Sequence, residues 1–238
     1  YVIPKFIIVI SKSAQKNCQN LGYHKKKLIL IFSGFDLSTF KTNRYQKLLL
    51  RKRIKIKKET PLIGIVARYH PTKDHQNLLN ALSIIRSNYI NFYCVFVGYG
   101  MDKKNKILIN EIKRLQLSTN VKLLGANKNI PQIMNGLDIN ILCSKSEGFP
   151  SVIAEAMACG TPCIVTDVGD SALIVGKTGW VVPPMDSNKL ASSIEKALSK
   201  IGKDNWKNRC DQAKLRVKKN FEINKMIKSY NVIWSKIL

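Results

Sequence analysis

The sequence has 238 residues, 45% hydrophobic and 23% charged, and its 40 Lys and Arg against 15 Asp and Glu give a formal net charge of +25. This suits one large domain, or one and a half smaller ones, with a real hydrophobic core, and argues against a disordered chain. The charge favours polyanionic partners (nucleic acid, anionic membrane, phosphorylated small molecules); a Lys-, Asn- and Ile-rich bias at exposed positions explains it equally.

The six cysteines form no CxxC pair, and several lie in apolar runs such as FYCVFVG and INILCS. They read as buried small hydrophobes in a reducing compartment, not as a disulfide framework or zinc site. The three histidines, at 24, 70 and 75, further limit metal sites, so no metal is expected. No apolar run is long enough to cross a membrane as a helix. The chain opens YVIPKFIIVIS without an initiator Met, which suggests a fragment beginning inside a strand.

In chain order, FIIVI (6–10) reads as a buried strand, SAQKNCQNLGY as a polar helix, and LILIF (28–32) as a second strand ended by Ser33-Gly34. Residues 41–58 form a basic connector whose LLL core predicts a helix with a cationic outer face. A nucleic-acid arm is the sharper reading there, but the run of interleaved aromatics is missing. From residue 61 the pattern is regular. LIGIVA (62–67) is a strand, and TKDHQNLLNALSIIRS a helix with Leu78, Leu82 and Ile85 on one face. FYCVFV (92–97) is a strand broken by Gly98-Tyr99-Gly100. Ile107, Leu108, Ile112 and Leu115 mark the next helix. VKLLG (121–125), INILC (139–143), CIVTD and WVVPP supply further strands. IPQIMNGL opened by Pro131, SVIAEAMAC closed by Gly160, and SNKLASSIEKAL begun near Asp186 supply helices. Short apolar strands separated by helices predict an α/β fold, a parallel sheet covered on both faces.

In such a sheet ligands bind outside the carboxyl ends of the strands. The first end, ARYHPTKDH, offers Arg68 and, five residues on at the start of the next helix, Lys73. Two cations near a helix N-terminus suit a diphosphate; two plain surface cations are the bland alternative. The second end, VGYGM, allows a tight turn or close approach of a ligand, with a plain turn preferred. The fourth, SKSEGFPSVIAEAMACGTP, is richest. Backbone N–H groups from Gly148 to Val152 suit a phosphate oxygen, and Glu147 and Glu155 suit sugar or ribose hydroxyls. A dipole-favoured Glu beside an ordinary helical one is the alternative. Paired carboxylates for glycoside hydrolysis rank lower, because a hydrolase needs no diphosphate cradle.

At these residues the sequence resembles glycosyltransferase family 4, the "group 1" retaining GT-B enzymes. The key match is Glu-x7-Glu, here Glu147 and Glu155, in EGFPSVIAEAMACGTPCIVTDVG. ARYHPTKDH, VKLLG, LDINILCS and TGWVVPPMDSNKLASSI follow in family order. The resemblance implies a Rossmann-like parallel sheet, the C-terminal half of a GT-B fold with most of the N-terminal domain missing. It divides the chain into a remnant of the acceptor domain (1–30), a hinge and basic linker (31–60), the donor-binding domain (61–215) and a C-terminal helix (216–238). The helix around MIKSYNVIWSKIL would pack on the absent domain, leaving an apolar face exposed here.

The implied reaction is retaining transfer of a sugar from a nucleotide-diphosphate sugar, without metal or cofactor. Glu147 would act at the transferred sugar and Glu155 at the ribose. Arg68 and Lys73 would bind the diphosphate. Backbone at Gly148, Phe149, Pro150, Ser151 and Val152 would line the donor, and Gly125, Asn127 and Ile130 would edge the base. GDSALIVGKTGWVVPP resembles transferases of bacterial surface polysaccharide or lipopolysaccharide assembly. That implies a lipid-linked or oligosaccharide acceptor and a cytoplasmic protein, with peripheral association at the inner membrane face as an option; no nucleic acid is expected. Departures from the family are Ser33 where Asn is common, Leu173 where many members have Glu, and no histidine in the place of the acceptor domain's catalytic-side one. The alternatives are a truncated, non-catalytic nucleotide-sugar-binding fragment, a basic nucleic-acid-binding α/β domain, and a GT-B-shaped epimerase.

Overall fold

The computed structural model describes residues 4–88, 90–203 and 205–236. The first three residues of the expected acceptor-domain remnant, where the chain was expected to start inside a strand, and the last two of the expected C-terminal helix lie outside them.

Strands β1 (Ile7–Val9) and β2 (Leu28–Leu30) pair in parallel in a two-stranded sheet of their own, joined by α1 (Lys12–Asn20). Both are shorter than their apolar runs suggest, because register is shared over only three residues. The Ser11 hydroxyl accepts the Ala14 N–H and caps α1.

Helix α2 (Arg44–Ile54) is capped by Asn43 and closed by Lys55 in the left-handed region. Its packing corrects the LLL expectation. Leu50 and Ile54 are buried, but Leu48 and Leu49 are 55% and 36% exposed, while Arg51 is only 5% exposed. The guanidinium is tolerated inside because its two terminal nitrogens are engaged, although its Nε finds no partner among the described residues. Nη2 donates to Asp138 at 2.5 Å, and Nη1 donates to the carbonyls of Lys57, Lys58 and Thr60.

The main sheet holds β3 (Leu62–Val66), β4 (Tyr93–Val97), β5 (Val121–Gly125), β6 (Ile139–Leu142), β7 (Cys163–Thr166) and β8 (Trp180–Val182). Its order is β5-β4-β3-β6-β7-β8, every pairing parallel. The intervening helices are α3 (His75–Ser87), α4 (Lys106–Arg114), α5 (Ile130–Gly136), α6 (Ser151–Ala158) and α7 (Ser171–Val175), followed by α8 (Ser187–Leu198), α9 (Trp206–Phe221) and α10 (Ile223–Trp234). Side chains alternate across the sheet as the pleat requires. Ile63, Ile65, Cys94, Phe96, Ile139 and Ile141 pack on α3, α4 and α8. Leu62, Val95, Val97, Leu142, Cys163 and Val165 pack on α2, α5, α6, α7 and α9. The α/β parallel architecture read from the sequence is therefore the observed one.

Three local expectations change. Ile107 is 69% exposed, since α4 turns the Leu108/Ile112 pair inward and Ile107 falls off that face. The span 216–238 is not one helix. The chain becomes extended at Glu222, so that the Phe221 carbonyl and Ile223 N–H bond to Phe35 at 2.8 and 3.1 Å. Finally, α7 and the whole of α9, absent from the sequence reading, cover β7 and α6.

Cys94, Cys143, Cys159 and Cys163 are buried, and all six cysteines are free. Burial pushes the Cys159 and Cys163 thiols up to about 12, which keeps them inert packing groups.

Candidate functional site

The strand order reverses between β3 and β6, which places a crevice at their carboxyl ends. The loop after β3 is held from the β4 side. Ala67 N–H bonds to the Val97 carbonyl at 3.0 Å, and Tyr69 N–H to the Tyr99 carbonyl at 2.8 Å. Gly98 has φ +146, and a Cβ there would lie 1.7 Å from the Ala67 carbonyl oxygen. The close approach read from VGYGM is thus made by the protein's own backbone, which aims Arg68. Arg68 is exposed at the lip and makes no ion pair among the described residues.

Lys73 does not open α3 as expected. It ends a separate 3-10 turn, Pro71–Lys73, capped by His70 Nδ1 on the Thr72 N–H. Asp74, in the left-handed region at φ 48, interrupts the helical run, so α3 begins at His75. That kink sends the Lys73 ammonium across to the β6 loop, where it donates to Glu147 Oε1 at 2.5 Å. Ser144 Oγ donates to the same oxygen at 2.6 Å. The side chains of Lys73 and Glu147 retain 21% and 11% exposure. With Oε1 doubly engaged, Oε2 makes no hydrogen bond among the described residues and can accept from a ligand hydroxyl.

The Glu147 loop is fixed on two sides. Lys145 N–H bonds to the Thr72 carbonyl at 2.8 Å, tying the two strand ends together. Opposite, Gly169 adopts φ +56 against the Glu147 carbonyl, where a Cβ would lie 2.3 Å away, and Asp170 N–H bonds to the Gly148 carbonyl at 2.9 Å. The Asp170 carboxylate also accepts the N–H groups of Lys12 and Ser13, anchoring α1 beside the loop. Sequence reasoning missed Gly169, Asp170 and Ser13. The GDS step after CIVTDV was the available signal.

Of the expected donor-lining residues, Gly148 and Ser151 are exposed, Val152 is half-buried and Pro150 is buried. Phe149 has a larger structural part than its backbone. Its ring packs on Phe32, Phe35 and Phe221, with centroids 5.6 to 6.2 Å away. No side chain caps α6, so the Ser151 and Val152 N–H groups of its first turn remain available to an anion, while the Ile153 N–H bonds to the Pro150 carbonyl. The expected base-edge residues lie on the β5 side, two strands from β3, or about 10 Å. Gly125 is buried, and its backbone is committed to Met101 and Gly98. Asn127 accepts the Asn129 N–H, and Ile130 packs on the core. The structure therefore joins Lys73 to Glu147 directly, while Gly125 shapes its turn and offers no free backbone group.

A model of the family described as "Glycosyl transferases group 1" matches residues 46–214, which contain Arg68, Lys73, Glu147 and Glu155. The chain belongs to the group 1 glycosyl transferases. It is 30% identical over 143 residues to a putative glycosyltransferase, EpsF, of Bacillus subtilis, covering 60% of this chain and 37% of that protein. It is 28% identical over 171 residues to the Escherichia coli UDP-Gal:alpha-D-GlcNAc-diphosphoundecaprenol alpha-1,3-galactosyltransferase, covering 71% of this chain and 44% of that protein. The solved structure of Anabaena HepE in complex with UDP superposes with a TM-score of 0.89 at 25% identity, covering 98% of this chain and 64% of that one. The chain thus spans less than two thirds of the length of these curated relatives.

In this group 1 glycosyl transferase chain, Glu155 lies half-buried on α6, the next carboxylate after Glu147. Burial raises its pKa above the ordinary carboxylate value, and a hydrogen bond from Ser151 pulls it partly back. A folded-state pKa above the unfolded one means that folding takes up a proton between the two. The stability this group contributes is complete below the unfolded pKa and is lost as pH rises through the folded one. Ionised Glu155 therefore costs stability near neutrality, as a residue kept for binding can. Glu155→Gln is expected to melt at a modestly higher temperature at about pH 7, with the gain shrinking toward about pH 4. Thermal unfolding at both pH values checks this. An unchanged or lower melting temperature near neutrality would remove the assigned strain.

Proposed function

We propose that this chain binds a nucleotide-diphosphate sugar for a retaining, metal-independent sugar transfer to a lipid-linked or oligosaccharide acceptor, in assembly of bacterial surface polysaccharide or lipopolysaccharide. The observation that carries the reading is the Lys73–Glu147 contact across the switch point, under Arg68 and beside the uncapped α6. It sets a cation for phosphate and an acceptor oxygen for sugar hydroxyls within one hydrogen bond of each other.

Arg68, which makes no ion pair among the described residues, and Lys73 hold the diphosphate. As the anomeric bond breaks, negative charge grows on the departing phosphate, and fixed cations stabilise it more than they stabilise the bound donor. Glu147 uses Oε1 to orient Lys73 and Oε2 to hold the transferred sugar. Glu155 accepts from the ribose hydroxyls. The E. coli relative's diphosphoundecaprenol substrate supports the lipid-linked choice of acceptor.

Calorimetric titration with UDP and GDP, with and without magnesium, tests the donor reading; the HepE complex makes UDP the first choice. Binding is expected without magnesium, and Glu155→Ala should abolish it. Arg68→Ala is expected to weaken it by about 1.5–3 kcal/mol through lost charge-assisted bonds, with an unchanged melting curve because Arg68 is exposed. A folded protein that binds neither nucleotide would sink the proposal.

A further inference from the structure

Helix α2 carries two faces of identical spacing, each mixing apolar and cationic side chains. Lys47, Leu50, Arg51 and Ile54, at i, i+3, i+4 and i+7, turn toward the domain. Tyr45, Leu48, Leu49 and Lys52 repeat that spacing on the opposite side, where Tyr45 is 68% exposed. Arg51 is inside beside Leu50 and Ile54, and a second apolar pair, Leu48 and Leu49, is left outside, which an ordinary surface helix would not expose. Leu48 and Leu49 belong to neither core cluster.

The surroundings are uniformly cationic. Between residues 41 and 58 the sequence holds nine Lys and Arg and no Asp or Glu. Asp138 engages Lys47 and Arg51. Lys41, Arg44, Lys52, Arg53 and Lys55 are exposed around the apolar strip and make no ion pair among the described residues. A charge bias spread over the whole chain explains the lysines but not the apolar strip between them.

We infer that the outward face of α2 docks on an anionic lipid surface. Tyr45, Leu48 and Leu49 enter the boundary between headgroups and acyl chains, and the flanking cations bind lipid phosphates. A nucleic-acid backbone has the complementary charge but offers no apolar layer to bury the leucines, so lipid is the better match. The inward face of α2 packs against Gly136 and bonds to Asp138, whose carboxylate also accepts the Leu62 N–H at the start of β3. α2 therefore lies at the amino-terminal edge of the strands, and docking leaves the Lys73–Glu147 edge open. The inference does not rest on the donor reading.

Co-sedimentation with vesicles of phosphatidylglycerol mixed with phosphatidylcholine, against pure phosphatidylcholine, tests it. The chain is expected to bind only the anionic vesicles. Leu48→Ser with Leu49→Ser, and separately Lys52→Glu with Arg53→Glu, should each weaken binding at least about tenfold, with unchanged melting curves because all four side chains are exposed. In a third variant, Leu48→Trp, the added fluorescence should shift to the blue on anionic vesicles, showing entry into the apolar layer. Loss of binding with the charge reversals alone, without any effect of the serine pair and without a blue shift, would overturn the inference in favour of unspecific charge attraction. Duplex DNA bound as tightly as the vesicles and equally sensitive to the serine pair would overturn it in favour of nucleic acid.

Discussion

Asp138→Ala is expected to destabilise the protein by about 3–5 kcal/mol, the cost of leaving a buried charge without its partner. Asp138 stands between α5 and β6 at 7% exposure, and its two oxygens serve three donors. Oδ2 accepts from Arg51 Nη2 at 2.5 Å and from the Leu62 N–H at 2.8 Å, and Oδ1 accepts from Lys47 at 2.8 Å. Truncation leaves the buried guanidinium of Arg51 with backbone carbonyls but no carboxylate, and orphans the N–H that begins the central strand. Lys47 is half-exposed and returns to water at little cost. The reciprocal variant, Arg51→Met, is expected to cost less, because Lys47 still neutralises Asp138 and the methionine keeps the packed stem. Urea unfolding of the two variants beside the parent chain checks the ordering. If Asp138→Ala unfolds at the parental midpoint, the Asp138–Arg51 pair is not what holds α2 to the sheet.

Gly98→Ala is expected to cost about 3–5 kcal/mol as well, for a steric reason. The residue combines a φ of +146 with a carbonyl oxygen 1.7 Å from the position of the added methyl. Relief requires moving the end of β3, and with it Ala67 and Arg68. Molecules that still fold should therefore also bind nucleotide more weakly. Gly22 supplies the control. It has φ +89 with nothing within 4 Å, so Gly22→Ala pays the backbone term alone, about 1–2 kcal/mol. Thermal unfolding of the two variants separates the contributions. Equal losses would mean that the β3–β4 turn yields easily and does not hold Arg68 in place.

The sequence legible in advance was the part governed by local pattern. The apolar runs from LIGIVA to WVVPP marked the strands because the central four are buried on both faces and the two edge strands still bury part of each run, and Pro131, Gly160 and Asp186 marked helix ends because their backbone preferences are local. The spacing of Glu147 and Glu155 was legible for the same reason, one loop and one helical turn separating them. Less legible was everything that depends on a partner distant in the chain. Arg51 reads as surface charge until Asp138, 87 positions later, is brought against it. Glu222 reads as mid-helix until Phe35 takes up the backbone groups on either side. Asp74 gave no sign of its left-handed turn, which is what turns Lys73 out of α3.

By itself, then, the sequence determined the α/β class, the order of the strands and of the helices up to α8 apart from α7, and which residue types stand at each strand end. These follow from periodicity and from steric preferences that act within a few residues. Only the tertiary structure decided that the β3 and β6 ends adjoin, that Lys73 and Glu147 touch there, and that Asp170 and Gly169 brace their loop. It also decided that α2 turns Arg51 inward and Leu48 and Leu49 outward. The reason is common to all of these. A side chain's burial and charge environment are set by groups that folding brings from far along the chain, and no local pattern encodes the distance between them.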